Sequence, residues 1–404
     1  KYFGPIPAGP AADDLPPQPV ALEADRHVTL EDNIHLPAIA MLFPTVHYRH
    51  PDEAPLDAAA KILGQGKASL LYQRLVQSGR AVSAFVSHAC RELACEMAFI
   101  VVQNPASGET LAEMEAAVRE TLHEFAGRGV NADDLQKFTA GFESGQIFGM
   151  QSVAGKVGNL AFAEVFTGSP ANASDDIDRY LAVQQDDVVR AFRQYIEGQP
   201  AVILSIVPNG RTELAAAPQN FDYRSLAGAP GAIAPTVSPS LPEAPPQLRR
   251  WEDGFDRSVK PQPGTNPLVG LPPVHDARLA NGVRLLAVPN TETPTVTISA
   301  VFAMGQRDEP PGKAGLASLT TALMAEATQR RSAAEFSEAL ERIGASVSVG
   351  AGNYDTSITL NVLSKHLAAG MELMLERLLE PVFTQEDFDR LKSQRMESLL
   401  QARK

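Results

Sequence analysis

The chain is 404 residues long, with a formal net charge of −13, 44% apolar residues and two cysteines. That length is too great for one ordinary domain and ample for two with full cores. The acidic balance and the lack of any basic cluster exclude nucleic acid and anionic membrane as partners, because phosphate binding needs clustered Lys and Arg, while a basic or neutral peptide stays compatible.

The longest apolar runs, such as Met97 to Val102, are far too short to span a bilayer. No signal-peptide pattern opens the chain, which starts at Lys1 and stops at Lys404 inside a helical pattern. A piece of a longer protein is the expectation.

After a Pro-rich opening that begins Lys1-Tyr2-Phe3-Gly4-Pro5-Ile6-Pro7, strand-like runs are expected at Arg26 to Leu30 and Ala38 to Val46. A helix follows from about Pro51 to Leu63, with Ala58, Ile62 and Leu63 on its apolar face, and Gly64-Gln65-Gly66 breaks it. Ser69 to Val76 reads as a short helix, then Ala81 to Ala89 and Glu96 to Gln103 as a strand pair. Cys90 and Cys95 flank four residues between those strands. They could face each other across a hairpin and bond in an oxidising compartment. Spacing alone does not fix that geometry, and two free buried thiols is the preferred expectation.

Helices are expected from Thr110 to Phe125, burying Met114, Val118, Leu122 and Phe125, and from Ala132 to Phe148, capped by Asn131 with Asp134 three residues on. Three more, at Val157 to Phe166, Asp175 to Ala182 and Asp186 to Tyr195, lead to the apolar strand Ala201 to Val207, which Pro208-Asn209-Gly210 ends. Eleven prolines between Pro230 and Pro273 favour an extended linker. Asn281-Gly282 between Asp276 to Leu279 and Val283 to Val288 is a hairpin signal.

The strand Thr295 to Ala303 enters an amphipathic helix from Gly312 to Thr328, with Leu316, Leu319, Leu323 and Ala327 at helical spacing. Ser332 and Glu335 make a capping box for a helix that buries Phe336, Leu340 and Ile343. Strands at Ser346 to Gly350 and Thr356 to Leu363 precede helices from His366 to Leu379 and from Gln385 onward, the last capped by Thr384 with Asp387.

At a constant offset of 253 residues, Met114, Val118, Leu122 and Phe125 fall on Leu367, Met371, Leu375 and Leu378, and Asn131 and Asp134 fall on Thr384 and Asp387. A period this long means duplicated domains rather than a solenoid. The fold class expected is α+β: two homologous two-layer sandwich domains, each a mainly antiparallel sheet with helices on one face. Residues 1–212 and 273–404 make the two domains, and 213–272 the Pro-rich linker.

No complete zinc motif exists in the chain. His50-Pro51-Asp52-Glu53-Ala54 lacks the closing His, and His123-Glu124 has Gly127 where a second ligand would stand. Surface histidines on a loop and a helix are the reading preferred for both.

The stretch GKAGLASLTTALMAEAT from Gly312 to Thr328 nevertheless resembles, position for position, the helix that carries His-x-x-Glu-His in the pitrilysin/insulinase family of zinc metallopeptidases. In that motif two histidines face one Zn²⁺ and the glutamate activates water; here those positions hold Ser318, Thr321 and Ala322. Lys1 to Gly9 resembles the segment closing the family's first domain, Ser69 to Val76 its Ser-x-Leu-Tyr-x-x-Leu segment, and the Pro-rich stretch the hinge of its clam-shell.

The resemblance implies a mitochondrial-processing-peptidase-like metallohydrolase fold with about six strands per domain, four such domains enclosing a chamber. The family's oxyanion-stabilising Arg and Tyr correspond to Val76 and Ser83, with Arg74 and Arg80 nearby but off register and read as surface residues. Its third zinc ligand falls close to Glu397, read as an exposed helical Glu.

The implied function is part of a zinc-dependent metalloendopeptidase. In that reading the chain is the second domain and a degenerate third, supplying chamber wall, hinge and substrate-holding surface, with no catalytic, metal or cofactor-binding residue of its own. Zn belongs to a missing first domain and the Arg and Tyr to a missing fourth; the partners are a peptide substrate and those two domains. The alternative is a non-catalytic binding or assembly subunit, like the core proteins of the mitochondrial respiratory complex. Analogy with bacterial relatives suggests a periplasmic or exported location.

Overall fold

The structure, a computed structural model, describes residues 16–18, 20–226, 264, 270 and 272–402. The opening Lys1 to Gly9 and most of the stretch from Pro230 to Pro273 lie outside the described residues. Pro17–Asp222 and Thr293–Lys404 make one compact unit, and the described part of Tyr223–Glu292 belongs to another.

The first repeat runs β1 (Arg26–Asp32), β2 (Ala38–Pro44), α1 (Glu53–Gly64), β3 (Ala81–Cys90), β4 (Cys95–Gln103), α2 (Leu111–Arg128), α3 (Ala132–Gly149), α4 (Val153–Thr167), α5 (Asp175–Leu181), α6 (Gln185–Tyr195) and β5 (Val202–Pro208). The sheet order is β1-β5-β2-β4-β3, five strands where the family resemblance implied about six. All pairs are antiparallel except β1 with β5. Ser69 to Val76 differs from the expected short helix, since Tyr72–Gln77 winds as a wider π-type turn.

Strand periodicity explains the core. Ile39, Met41 and Phe43 project from one face of β2 and are fully buried. The register sets them opposite Val101, Phe99 and Met97 of β4, so the large side chains meet in cross-strand pairs. Phe43 and Phe99 meet edge to face at 5.6 Å. Above this layer α2 buries Met114, Val118, Leu122 and Phe125, and Phe125 packs on Phe192 of α6 with centroids 4.7 Å apart. Each such side chain removed from water stabilises the fold by about 1.5–3 kcal/mol.

In the separate unit, β6 (His275–Arg278) and β7 (Arg284–Ala287) form the hairpin expected around Asn281-Gly282, with Gly282 at φ 86°. The second repeat contains β8 (Thr295–Phe302), α7 (Leu316–Met324), α8 (Ala333–Glu341), β9 (Ser346–Ala351), β10 (Thr356–Leu363), α9 (Leu367–Leu379) and α10 (Gln385–Gln401). Its sheet order, β8-β10-β9, repeats the arrangement of β2, β4 and β3.

Phe336, Leu340, Val347, Ile358, Leu360, Val362, Leu373 and Met374 form its core. The duplication is therefore structural, but the matched helices are not equally covered. Leu122 of α2 is 5% exposed, whereas its counterpart Leu375 of α9 is 44% exposed. In the first repeat α6 packs on α2, where Phe192 meets Phe125.

Candidate functional site

The helix that resembles the family's zinc helix is entered through Gly315, at φ 97°, a left-handed conformation that suits glycine. Glu309 closes the entry: its two carboxylate oxygens accept the N–H groups of Gly315 and Ala317 at 2.9 and 2.8 Å. A negative group on these otherwise unpaired donors stabilises the helix start.

Beyond that entry the chemistry is local. Thr321 Oγ1 donates to the carbonyls of Ala317 and Ser318, both at 3.1 Å, and Ser318 Oγ points back to the carbonyl of Gly315 at 3.5 Å. These hydroxyls close on their own helix. With a methyl at Ala322, the three positions offer none of the thiolate, imidazole or carboxylate donors that zinc takes.

What α7 presents instead is apolar. A cavity of about 410 Å³ lies along it, lined by Leu316, Thr320, Thr321 and Met324, by Phe302 at the end of β8 and Met304 beyond it, and by Ile358 and Leu378. Met304 is 66% exposed, so this surface is open to solvent.

Helix α7 is shorter than the expected Gly312 to Thr328. After Met324 the chain is drawn into a buried ionic cluster. Glu326 is paired with Lys67 at 2.7 Å and with Arg390 at 3.2 Å, and Lys67 Nζ also donates to the Ala325 carbonyl at 2.9 Å. Burial pulls the Lys67 amine below its ordinary range, against the pull of Glu326.

The other family positions fall elsewhere. Val76 is a core residue, 3% exposed, and Ser83 sits beside a register irregularity in β3. Arg74 donates to Thr121 at 3.1 Å and pairs with Glu124 at 3.4 Å, while Arg80 Nε is held by Glu109 at 2.7 Å. Glu397 departs from the exposed reading: it is half-buried, with Oε2 3.0 Å from His35 Nε2, because α10 packs against the first repeat.

The two motif fragments also part company. His123 has its side chain 89% exposed. Asp52 and Glu53, next to His50, are buried carboxylates at the start of α1, held by Arg190 at 2.6 Å and Arg179 at 2.7 Å. Burial outweighs Arg179 and leaves the Glu53 carboxyl above its ordinary range.

Cys90 and Cys95 are direct partners in the β3–β4 register and form a disulfide, which corrects the expectation of two free thiols. Two residues before Cys90, His88 is held between Asp57 and Thr45. The sequence reading missed this constellation. Its only local signal was the two-residue spacing of His88 and Cys90 on a strand, since Asp57 and Thr45 come from distant elements.

Two family descriptions match the chain. Residues 1–140 match the Peptidase M16 inactive domain and residues 284–402 match Insulinase (Peptidase family M16). Together they take in more than half of the chain, which belongs to the pitrilysin/insulinase (M16) family of peptidases. The zinc protease PqqE of Helicobacter pylori is 26% identical over 185 residues, 45% of this chain and 40% of the relative. The chain thus spans less than half the length of that curated relative.

Among solved structures, a protease from Helicobacter pylori matches with a TM-score of 0.42 and 21% identity, over 46% of this chain and 45% of that one. The periplasmic protease PqqL from Escherichia coli matches with a TM-score of 0.38 and 15% identity, over 98% of this chain and 44% of that one. No described helix is long and apolar enough to cross a membrane.

Proposed function

We propose that this chain is the non-catalytic middle of a larger zinc-dependent metalloendopeptidase, contributing chamber wall, hinge and a surface that holds peptide. Residues 1–212 are its second domain, 213–272 the hinge, and 273–404 a third domain whose zinc helix has lost its ligands. The observation that carries this reading is α7, where the family frame is kept while the hydroxyls of Ser318 and Thr321 close on their own helix and Ala322 offers no donor. The apolar surface along α7 suits the apolar side chains of an extended peptide. The disulfide accords with a periplasmic or exported location.

The zinc and the attacking water belong, in this reading, to a domain upstream of residue 1. Metal content and cleavage of a quenched peptide mixture, with and without chelator, are measured for this chain beside the full-length protein. Activity and chelator sensitivity in the full-length protein alone are expected. Chelator-sensitive hydrolysis by the 404-residue chain would sink the proposal; inactivity of both would make the protein a binding or assembly subunit.

A further inference from the structure

A strand's period of two puts His88 and Cys90 on the same face of β3, and the register sets Cys95 of β4 opposite Cys90. The two sulfurs are bonded, and Cys90 Sγ lies 3.7 Å from His88 Nε2. The His88 side chain is 1% exposed, with Nδ1 2.7 Å from Asp57 Oδ1. An ionised carboxylate can only accept, so Nδ1 carries the proton. In the neutral ring this leaves the Nε2 lone pair to accept from the Thr45 hydroxyl at 2.9 Å, beside the sulfur. The second oxygen of Asp57 accepts from Tyr180, whose phenol burial and Asp57 together hold protonated. A metal-binding imidazole ordinarily has this support, one N–H held by a carboxylate that is itself hydrogen-bonded.

We infer that the reduced chain binds one Zn²⁺ through His88 Nε2, Cys90 Sγ and Cys95 Sγ, the disulfide being the metal-free state of the same site. With Zn–S near 2.3 Å and Zn–N about 2.0–2.1 Å, a tetrahedral centre sets adjacent N and S about 3.5 Å apart and two S about 3.8 Å apart. The first separation stands at 3.7 Å, but Sγ is also 3.9 Å from Nδ1, so the Cys90 side chain must swing toward the Nε2 lone pair as the metal enters. The second needs the S–S bond cleaved and a small side-chain rotation at the end of the hairpin. All three ligand atoms lie within 4.8 Å of one another.

Thr45 gives up Nε2 to the metal, and water reaching the half-buried Cys90 fills the fourth position. Reduction by a dithiol places two electrons and two protons on the bridge, giving two thiols and the oxidised reductant. Zn²⁺ then displaces two protons to solvent as both thiols become thiolates. The site draws on α1, α5, β3, β4 and the residue after β2, and uses none of the α7 positions.

The test takes the purified chain in two forms, oxidised, and reduced with a dithiol then desalted anaerobically. Each is titrated with Zn²⁺ against a chromophoric chelator, and separately with Co²⁺. One equivalent in the reduced chain, none in the oxidised chain, and the intense visible bands of tetrahedral thiolate-ligated Co²⁺ are expected. His88→Ala and Cys95→Ser should abolish this binding, and Asp57→Asn should weaken it about 10–100-fold with the Co²⁺ spectrum retained. Should a variant fail to fold, alkylation of the two thiols in the unmutated reduced chain gives the answer, since bound Zn²⁺ should slow it. No stoichiometric uptake on reduction, equal uptake by the oxidised chain, undiminished binding in folded His88→Ala, or alkylation unaffected by Zn²⁺ would each overturn the inference.

Discussion

Glu53 shows how strongly a single position can depend on its partner. Its side chain is 3% exposed and Arg179 reaches it at 2.7 Å from α5, with the Arg49 N–H giving a second hydrogen bond at 2.7 Å. Removing one partner of a buried pair leaves an uncompensated charge, which costs about 3–5 kcal/mol. Arg179→Ala is therefore expected to lose about that much at pH 7, measured by urea denaturation.

The loss should shrink in acid. Burial already raises the Glu53 carboxyl, and without Arg179 it rises further, so the folded variant takes up the proton before the unfolded chain does. Its stability relative to the parent protein recovers as pH falls through that raised value. An equal deficit at pH 7 and pH 4 would show that Arg179 acts through packing alone.

At the scale of elements, much was legible because the signals are local. The caps read at Asn131, Ser332 and Thr384 all form, each side chain accepting the N–H three residues on, and Thr110, read as the first helical residue, makes a fourth. Apolar runs marked β2 and β4, and Asn281-Gly282 marked the hairpin. What escaped depends on distant partners, as in the parallel pairing of β1 with β5 and the end of α7 where Glu326 meets Lys67 and Arg390, or on a hairpin register that spacing does not fix, as in the bonding of Cys90 to Cys95. The missing zinc ligands of α7 could be read directly, since they are matters of residue identity. The Asp57–His88–Thr45 cluster could not, since three elements must first be brought together.

The junction of α3 with the segment after α8 gives an element-scale test. Gly344 adopts φ 58°, and a Cβ placed there would lie 2.8 Å from Ser144 Cβ and closer still to the Ala140 carbonyl oxygen. Gly344→Ala should lose about 1–3 kcal/mol through backbone strain and overpacking. Gly145, on the same helix α3, has nothing within 4 Å of a built Cβ. Gly145→Ala should instead gain about 0.5–1 kcal/mol, as alanine usually does in a helix interior. Chemical denaturation of the two variants decides it, and changes of the same sign would contradict the packing described.

The unit as a whole joins the two repeats through charges. Lys67 meets Glu326, Lys365 meets Glu143 at 2.8 Å, and Arg342 at the end of α8 forks onto Asp133 at the start of α3. The hydrogen bonds from Arg342, aided by Lys137, hold the Asp133 carboxyl down at about 2. A depressed carboxyl contributes stability that is complete above its unfolded value, near 4, and is lost as pH falls through the folded value. Between about pH 4 and pH 2 the junction should therefore loosen as the unfolded chain takes up the proton first.

Asp133 is 38% exposed, so solvent screening keeps the neutral-pH contribution within about 1 kcal/mol. Asp133→Asn is expected to leave stability at pH 7 within that range while flattening its fall between about pH 4 and pH 2. Denaturation midpoints across that range measure the slope. An unchanged slope would mean that this pair does not link the repeats in acid, and would shift the link to the buried Lys67–Glu326 pair.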